Sequence, residues 1–176
     1  MRAVVYTGVG KTEESLRMGE IAKPSPGAHQ VLVRVKASAI TNMEYMRFGS
    51  IGLGRVLNLA MPAAGKPLGV EFAGIVEEIG DGVKGLKKGD AVFGLAKGFI
   101  GAWAEYVLAN EKEVAPKPDS LSFEQAGALP TGGITALGAV NAAKIQPGQE
   151  ILIQGASGGV GHFVIQLAKA YGGIVT

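Results

Sequence analysis

The stretch ILIQGASGGVGH, residues 151–162, decides the fold of the second half of this chain. An apolar, strand-like run leads into glycines at positions 155, 158, 159 and 161, and apolar residues at helical spacing follow. A strand, a glycine-rich turn and a helix in this order bring backbone N–H groups to the pyrophosphate of a dinucleotide. We therefore predict a dinucleotide-binding loop. The alternative is a tight strand–helix turn that binds nothing.

Each glycine of the loop has an expected role. Gly155 allows the strand to turn sharply, Gly158 allows the backbone to approach a phosphate, and Gly161 allows the helix to pack closely on the sheet. His162, in the first helical turn, is interpreted as a solvent-facing or packing residue rather than a catalyst. The candidate cofactor-binding residues are Thr131, Gly155, Ser157, Gly158, Gly159, Val160 and Gly161.

Composition restricts the class of protein. A length of 176 residues allows one domain or one and a fraction, and 47% hydrophobic against 18% charged residues argues against disorder. A net charge of +2 without a basic run gives no reason to expect a nucleic-acid partner. The absence of cysteine excludes disulfides, thiolate catalysis and cysteine-ligated zinc, and fits a cytoplasmic protein. The uncharged stretches 126–143 and 151–168 contain glycines and polar residues, which favours buried layers over membrane spans.

The chain changes character after Pro118. Up to that residue, short apolar runs separated by glycine, proline and charge predict a mostly antiparallel, barrel-like β domain with a short helix over 41–48. The runs are RAVVY, VLVRVKASAI, GVEFAGIVEEIG, AVFGL and AWAEYVLA. We therefore predict a first domain over residues 1–118 and a second over 119–176.

The second domain is predicted to alternate helices and strands. Ser122 and Gln125 have the spacing of a capping box, and Thr131 is a candidate cap for a second helix that ends near Ala143. The run EILIQ has no alternation and predicts a strand of a parallel sheet, and GGIVT begins another strand.

Four segments carry a resemblance to a known family. They are PLGVEFAGIVEEIGDGVKGLKKGDAVFG, GAWAEYVLA, LSFEQAGALPTGGITAL and GQEILIQGASGGVGHFVIQLAKAYGG. In this order they resemble the medium-chain dehydrogenase/reductase superfamily, in its zinc-free, quinone-oxidoreductase-like (zeta-crystallin-like) branch. The resemblance implies an α/β fold with a GroES-like β-barrel domain followed by the beginning of a Rossmann dinucleotide-binding domain, with the active site in the cleft between them.

The resemblance also bears on metal binding. Zinc-dependent relatives supply a Cys and a His at positions that correspond here to Thr41 and Val70, and their cysteine-rich structural-zinc lobe has no counterpart. Neither a valine nor an unactivated threonine is a suitable zinc ligand. No metal site is therefore expected.

Without a metal ion as Lewis acid, the substrate must accept hydride although no metal polarises its carbonyl group. Quinones and enones do so, because negative charge spreads onto the carbonyl oxygen, and the enzyme need only hold the reactants in contact and donate a hydrogen bond. The candidate catalytic donors are Thr41, at the position of a frequent family Asn, Asn42 and Tyr45. The alternative is that these are ordinary cleft or surface residues. Glu44, at the position of a frequent family Asp, is expected to be structural.

Two further features leave alternatives open. Glu71 is interpreted as a buried, paired carboxylate rather than a general base. The apolar segment 50–67 is either a wall or lid of a hydrophobic substrate pocket or additional core packing.

The resemblance implies a partial Rossmann domain, since a doubly wound sheet needs about six strands. We expect the chain to be incomplete at its C-terminus and inactive alone. For the full-length protein, the resemblance implies an NAD(P)H-dependent reductase of small hydrophobic quinones or conjugated carbonyls, NADP as the cofactor with NAD possible, and a homodimer. The alternatives are a non-catalytic crystallin-like or vesicle-associated protein and a zinc alcohol dehydrogenase.

Overall fold

The computed structural model describes residues 1–8, 12–48 and 64–176. The chain folds into two compact units, Met1–Ala128 and Leu129–Thr176. The boundary between functional domains after Pro118 stays a prediction. In the described part of the chain, no helix is long and apolar enough to cross a membrane.

The described residues of the first unit form antiparallel strands, as the apolar runs predicted, and three short α-helices. Its strands and helices are β1 (Arg2–Tyr6), α1 (Thr12–Ser15), β2 (Leu16–Glu20), β3 (Gln30–Ala37), α2 (Asn42–Phe48), β4 (Glu71–Ile79), β5 (Ala91–Leu95), β6 (Tyr106–Asn110), β7 (Val114–Pro116) and α3 (Phe123–Gly127). The runs RAVVY and AVFGL coincide with β1 and β5. The run AWAEYVLA was predicted too long, because pairing with β3 extends only from Tyr106.

The main sheet has the strand order β6-β3-β4-β5-β7, and every neighbouring pair is antiparallel. Consecutive valines and a leucine in β3 are fully buried, so this strand is covered on both faces. The core of the sheet consists of Val31, Val33, Phe72, Val76, Val92, Ala96, Ala102, Val107 and Ala109. Burial of these side chains from water is the main stabilising contribution to the unit.

Strands β1 and β2 form a separate antiparallel pair. Single bridges join Ala3 to Ala104 and Val5 to Pro67. Tyr6 and Leu68 are buried in a second small core, against which Leu16 and Trp103 pack. Leu68 lies three residues before β4 in the chain.

Helix α3 begins with the predicted capping box, which the structure confirms. The Gln125 N–H donates to Ser122 Oγ (3.2 Å), and the Ser122 N–H donates to Gln125 Oε1 (2.9 Å). The pKa of Glu124, in the first turn, is lowered by hydrogen bonds from its own N–H and from the Ser122 hydroxyl. The helix contacts β3, β4 and β5 of the first unit.

Replacing Ser122 with alanine is expected to lower the free energy of unfolding by about 0.5–2 kcal/mol, since the Gln125 N–H loses its acceptor. Denaturant unfolding of the full-length protein measures the change. Ser120→Ala, an exposed serine two positions earlier, is the matched control, for which we expect no measurable loss. An equal loss in both variants would contradict the capping argument.

The second unit contains α4 (Pro130–Ala143), β8 (Glu150–Ile151), α5 (Gly161–Ala170) and β9 (Ile174–Val175). Strands β8 and β9 pair in parallel, Glu150 with Ile174 and Ile151 with Val175, which confirms the parallel pairing predicted from the absence of alternation. Buried Val140, Ile145 and Ala168 form its core, and α5 contributes the half-buried Val164 and Leu167 to it.

The predicted cap of helix α4 is wrong. Thr131 lies inside the first turn, and the N-cap is Leu129, without a side-chain cap hydrogen bond. Pro130 occupies the first helical position, where its fixed φ favours the helix and its missing N–H leaves no donor unpaired. The helix therefore begins two residues earlier than a threonine cap at position 131 requires. It ends at Ala143, as predicted, and Lys144 follows in the left-handed conformation with φ 50°.

Candidate functional site

The predicted catalytic residues lie at the start of α2 in the first unit. Met43 N–H donates to Thr41 Oγ1 (3.2 Å), and Thr41 N–H donates to Glu44 Oε2 (2.7 Å). The Thr41 hydroxyl donates to the same carboxylate oxygen. Thr41 Oγ1 thus caps this helix start, and the Glu44 carboxylate accepts both the N–H and the hydroxyl of Thr41. The cap was not predicted, although a Thr followed three residues later by Glu is a signal for the start of a helix.

Glu44 reaches a second segment of the chain with its other oxygen. The Val70 N–H donates to Glu44 Oε1 at 2.8 Å. Glu44 is only 1% exposed and Val70 2% exposed, so this bridge is withdrawn from solvent. The expectation of a structural role for Glu44 agrees with this geometry. The carboxylate joins Thr41 and Val70, the two positions that were compared with metal ligands.

Two further hydrogen bonds connect the same parts of the chain. The Ser38 hydroxyl donates to the Glu71 carbonyl oxygen (2.6 Å). The indole N–H of Trp103 donates to the Ala39 carbonyl oxygen (3.1 Å), while the Trp103 backbone N–H donates to the Leu68 carbonyl oxygen (2.8 Å). These hydrogen bonds therefore join the residues just before α2 to the start of β4 directly and, through Trp103, to Leu68. No sequence pattern indicated Trp103, because its partners are distant in the chain.

The three candidate donors differ in their surroundings. Thr41 is half-buried, whereas Asn42 is exposed and the Tyr45 side chain is 71% exposed. Asn42 and Tyr45 are three residues apart on the helix, which places them on one face. Ile40, which directly precedes Thr41, is 75% exposed.

Other predicted residues of the first unit can be placed as well. Glu71 is buried at 3% exposure, as expected, at the start of β4. Within the described part of the chain, no three His, Asp or Glu side chains are grouped so that they could hold a metal ion. Most of the segment 50–67, the predicted wall or lid, lies outside the described residues.

The glycine-rich loop of the second unit connects β8 to α5. Gly155 has a φ of 76°, a left-handed conformation suited to glycine. The Gly158 N–H donates to the Gly155 carbonyl oxygen (3.0 Å), which closes the turn. The N–H groups of Gly159, Val160 and Gly161 make no hydrogen bond within the described residues. Three consecutive N–H donors at the start of a helix suit an anionic phosphate.

Gly161 is crowded by the loop rather than by the sheet. A Cβ at this position would lie 2.2 Å from the Gly155 carbonyl oxygen and 2.7 Å from the Ala156 Cα. The expected close packing thus exists, but its partner is the turn itself, because the first helical residue folds back over the start of the loop. At Gly158 the nearest atom, again the Gly155 oxygen, would be 3.3 Å away.

Part of the loop lines a groove in the second unit. Gly155, Val160 and Gly161 line this groove of about 390 Å³, together with apolar residues of α4 and β8. Ser157 is exposed, and Thr131 is half-buried in the first turn of α4. His162 is exposed, with its Nδ1 3.0 Å from the Gly158 carbonyl oxygen.

The chain is similar to known proteins in sequence and in structure. Residues 27–119 match the model of the alcohol dehydrogenase GroES-like domain. The rat (Rattus norvegicus) quinone oxidoreductase is 36% identical over 174 residues, which are 98% of this chain and 50% of that protein. The tomato (Solanum lycopersicum) 2-methylene-furan-3-one reductase is 38% identical over 177 residues, and the match covers 96% of this chain and 44% of that protein.

The structure of the quinone oxidoreductase from Coxiella burnetii superposes with a TM-score of 0.84 at 35% identity. The match covers 99% of this chain and 55% of that one. The chain therefore spans about half the length of the curated relatives that it matches.

Proposed function

The chain belongs to the medium-chain dehydrogenase/reductase superfamily and is quinone-oxidoreductase-like, with a GroES-like domain, and on this premise we propose that the full-length protein is a zinc-independent, NAD(P)H-dependent reductase. Hydride passes to a quinone or another conjugated carbonyl. The relatives named for a quinone and for a methylene-furanone support this substrate class. NADP is the proposed cofactor, with NAD as the alternative, and the proposed assembly is a homodimer.

The observation that carries the proposal is the set of hydrogen bonds that the Glu44 carboxylate accepts. Its carboxylate accepts the N–H and the hydroxyl of Thr41 and the N–H of Val70. The side chain of Val70 has no donor atom for a metal, and the Thr41 hydroxyl is neutral and already hydrogen-bonded. This donor set does not suit zinc, so in the proposed reaction a hydrogen bond from another side chain stabilises the developing oxyanion.

The residues of the loop fit a dinucleotide. The free N–H groups of Gly159, Val160 and Gly161 would hold the pyrophosphate at the start of α5, and the exposed Ser157 would add a hydroxyl. When bound, the nicotinamide cofactor supplies the hydride. In the first unit, the exposed face with Asn42 and Tyr45 would receive the acceptor and donate a hydrogen bond to its carbonyl oxygen.

The function is tested with the full-length protein that carries this chain. We expect it to oxidise NADPH when p-benzoquinone is added, because a conjugated carbonyl accepts hydride without a Lewis acid. We expect the rate to be unaffected by prior treatment with a zinc chelator. Metal analysis of the untreated protein should find far less than one zinc per chain.

Two results would contradict this proposal. Stoichiometric zinc, with a rate that falls on chelation, would indicate a zinc-dependent dehydrogenase. Absence of NADPH oxidation with quinone and enone acceptors, although NADPH binds, would indicate a non-catalytic binding protein of the same fold.

A further inference from the structure

Glu44 is a buried carboxylate whose hydrogen-bond partners are neutral. Burying an ionised carboxylate is costly unless hydrogen bonds replace the lost water. Here Oε1 accepts from Val70 and Oε2 accepts twice from Thr41. Hydrogen bonds to an ionised acceptor are roughly twice as strong as those between neutral groups, so these three offset much of the cost.

This arrangement determines what the Thr41 hydroxyl can do. A hydroxyl has one hydrogen to donate and two lone pairs to accept with. The hydrogen of Thr41 goes to Glu44, and one lone pair accepts the Met43 N–H. While Glu44 is ionised, Thr41 has no hydrogen left for the carbonyl oxygen of a substrate.

The other two candidate residues, Asn42 and Tyr45, still have side-chain hydrogens to donate. Asn42 and Tyr45 are exposed, and their side chains make no hydrogen bond among the described residues. Of the two, Tyr45 combines a hydroxyl donor with a planar apolar ring. A quinone or enone needs both a flat contact surface and a donor to its oxygen.

We infer that Glu44 is a positioning residue. Its carboxylate engages the Thr41 hydroxyl hydrogen and ties the first turn of α2 to Val70, so that the Tyr45 hydroxyl, and not Thr41, donates to the carbonyl oxygen of the acceptor. This inference rests on the proposed function for its reaction. The bridge between Glu44, Thr41 and Val70 is a property of the fold and can be tested without turnover.

The kinetic test compares three variants of the full-length protein with NADPH and p-benzoquinone. Tyr45→Phe should lower kcat roughly a hundredfold, since removal of one oxyanion donor has effects of this order. Thr41→Val should lower kcat by no more than about threefold, because the helix cap and the hydroxyl bond to Glu44 are lost while the Thr41 and Val70 N–H groups still bind the carboxylate. Glu44→Gln should lower kcat at least about tenfold, because an amide brings N–H donors to where Thr41 or Val70 already donates.

A merely structural role of Glu44 would not produce the expected kinetic pattern. Glu44→Gln should change kcat while the dissociation constant of NADPH stays within about twofold of the parent, since the loop that holds the cofactor is untouched. Glu44→Asp, which keeps the charge but shortens the side chain, should recover part of the lost kcat. Glu78→Gln, at an exposed glutamate of β4, is the matched control, for which we expect parental kinetics.

The inference is overturned if Thr41→Val loses as much kcat as Tyr45→Phe, or if Glu44→Gln retains parental kcat. If Glu44→Gln does not fold, the comparison of Thr41→Val with Tyr45→Phe and the partial loss in Glu44→Asp decide the question. If the parent protein has no turnover, the proposed function fails, and unfolding then tests the bridge. Thr41→Val should shift the denaturant midpoint less in a Glu44→Asp background than in the parent. Equal shifts would overturn the bridge as well.

Discussion

Replacing Gly161 with alanine is expected to weaken NADPH binding by the full-length protein at least about tenfold, which corresponds to about 1.4 kcal/mol. The added Cβ would lie 2.2 Å from the Gly155 carbonyl oxygen and 2.7 Å from the Ala156 Cα. Both are backbone atoms, so no side-chain rotation relieves the contact. The start of α5 and the turn must move apart, which displaces the N–H groups proposed to hold the pyrophosphate.

The same change should lower the free energy of unfolding by about 1–3 kcal/mol, the usual cost of overpacking. Gly159→Ala is the matched control in the same loop, because a Cβ there would meet no atom within 4 Å. Cofactor titration and denaturant unfolding measure both variants. Parental affinity in Gly161→Ala, or an equal loss in Gly159→Ala, would show that crowding at the loop does not govern cofactor binding.

The second large effect is expected in the core of the first unit. Phe72→Ala should lower the free energy of unfolding by about 3–5 kcal/mol, because Phe72 is fully buried in the main sheet and its removal leaves a cavity. It lies in β4 two residues after Val70, the partner of Glu44. The loss of packing should therefore lower kcat as well.

Phe99→Ala removes the same side chain from a position that is 41% exposed. We expect this control to lose less than about 1 kcal/mol, since little apolar surface returns to water. Denaturant unfolding of both variants gives the comparison. A loss at position 72 no larger than at position 99 would mean that the sheet tolerates the cavity.

Much of the first unit was predictable because its signals are local. RAVVY and AVFGL became β1 and β5 within their predicted limits, and Ser122 and Gln125 formed the predicted capping box. Alternation of apolar and polar residues, turn residues and the spacing of capping residues all act over a few positions, so they can be detected in a single sequence. The error at Thr131 has the same origin, because two local signals competed and the proline at position 130 prevailed.

The candidate site was predictable only in part. Thr41, Asn42 and Tyr45 are all candidate donors by sequence, and the short helix predicted over 41–48 is confirmed as Asn42–Phe48, with Thr41 directly before it. The structure separates them, since the Thr41 hydroxyl donates to Glu44 while Asn42 and Tyr45 are exposed. The residue type is the same whether or not the hydroxyl hydrogen of Thr41 is bonded. Only the position of its acceptor in the folded chain shows whether this hydrogen is available to a substrate.

The sequence alone determined the fold class, the strand–glycine–helix order of the loop and the family, because each depends on residue types at short, fixed spacings. The tertiary structure decided which atoms meet across long separations. Glu44 reaches the Val70 N–H over 26 positions, and Trp103 reaches the Ala39 carbonyl oxygen over 64. Such contacts depend on the register in which β3 pairs with β4 and with β6. The packing of the whole sheet determines this register, and no local sequence pattern indicates it.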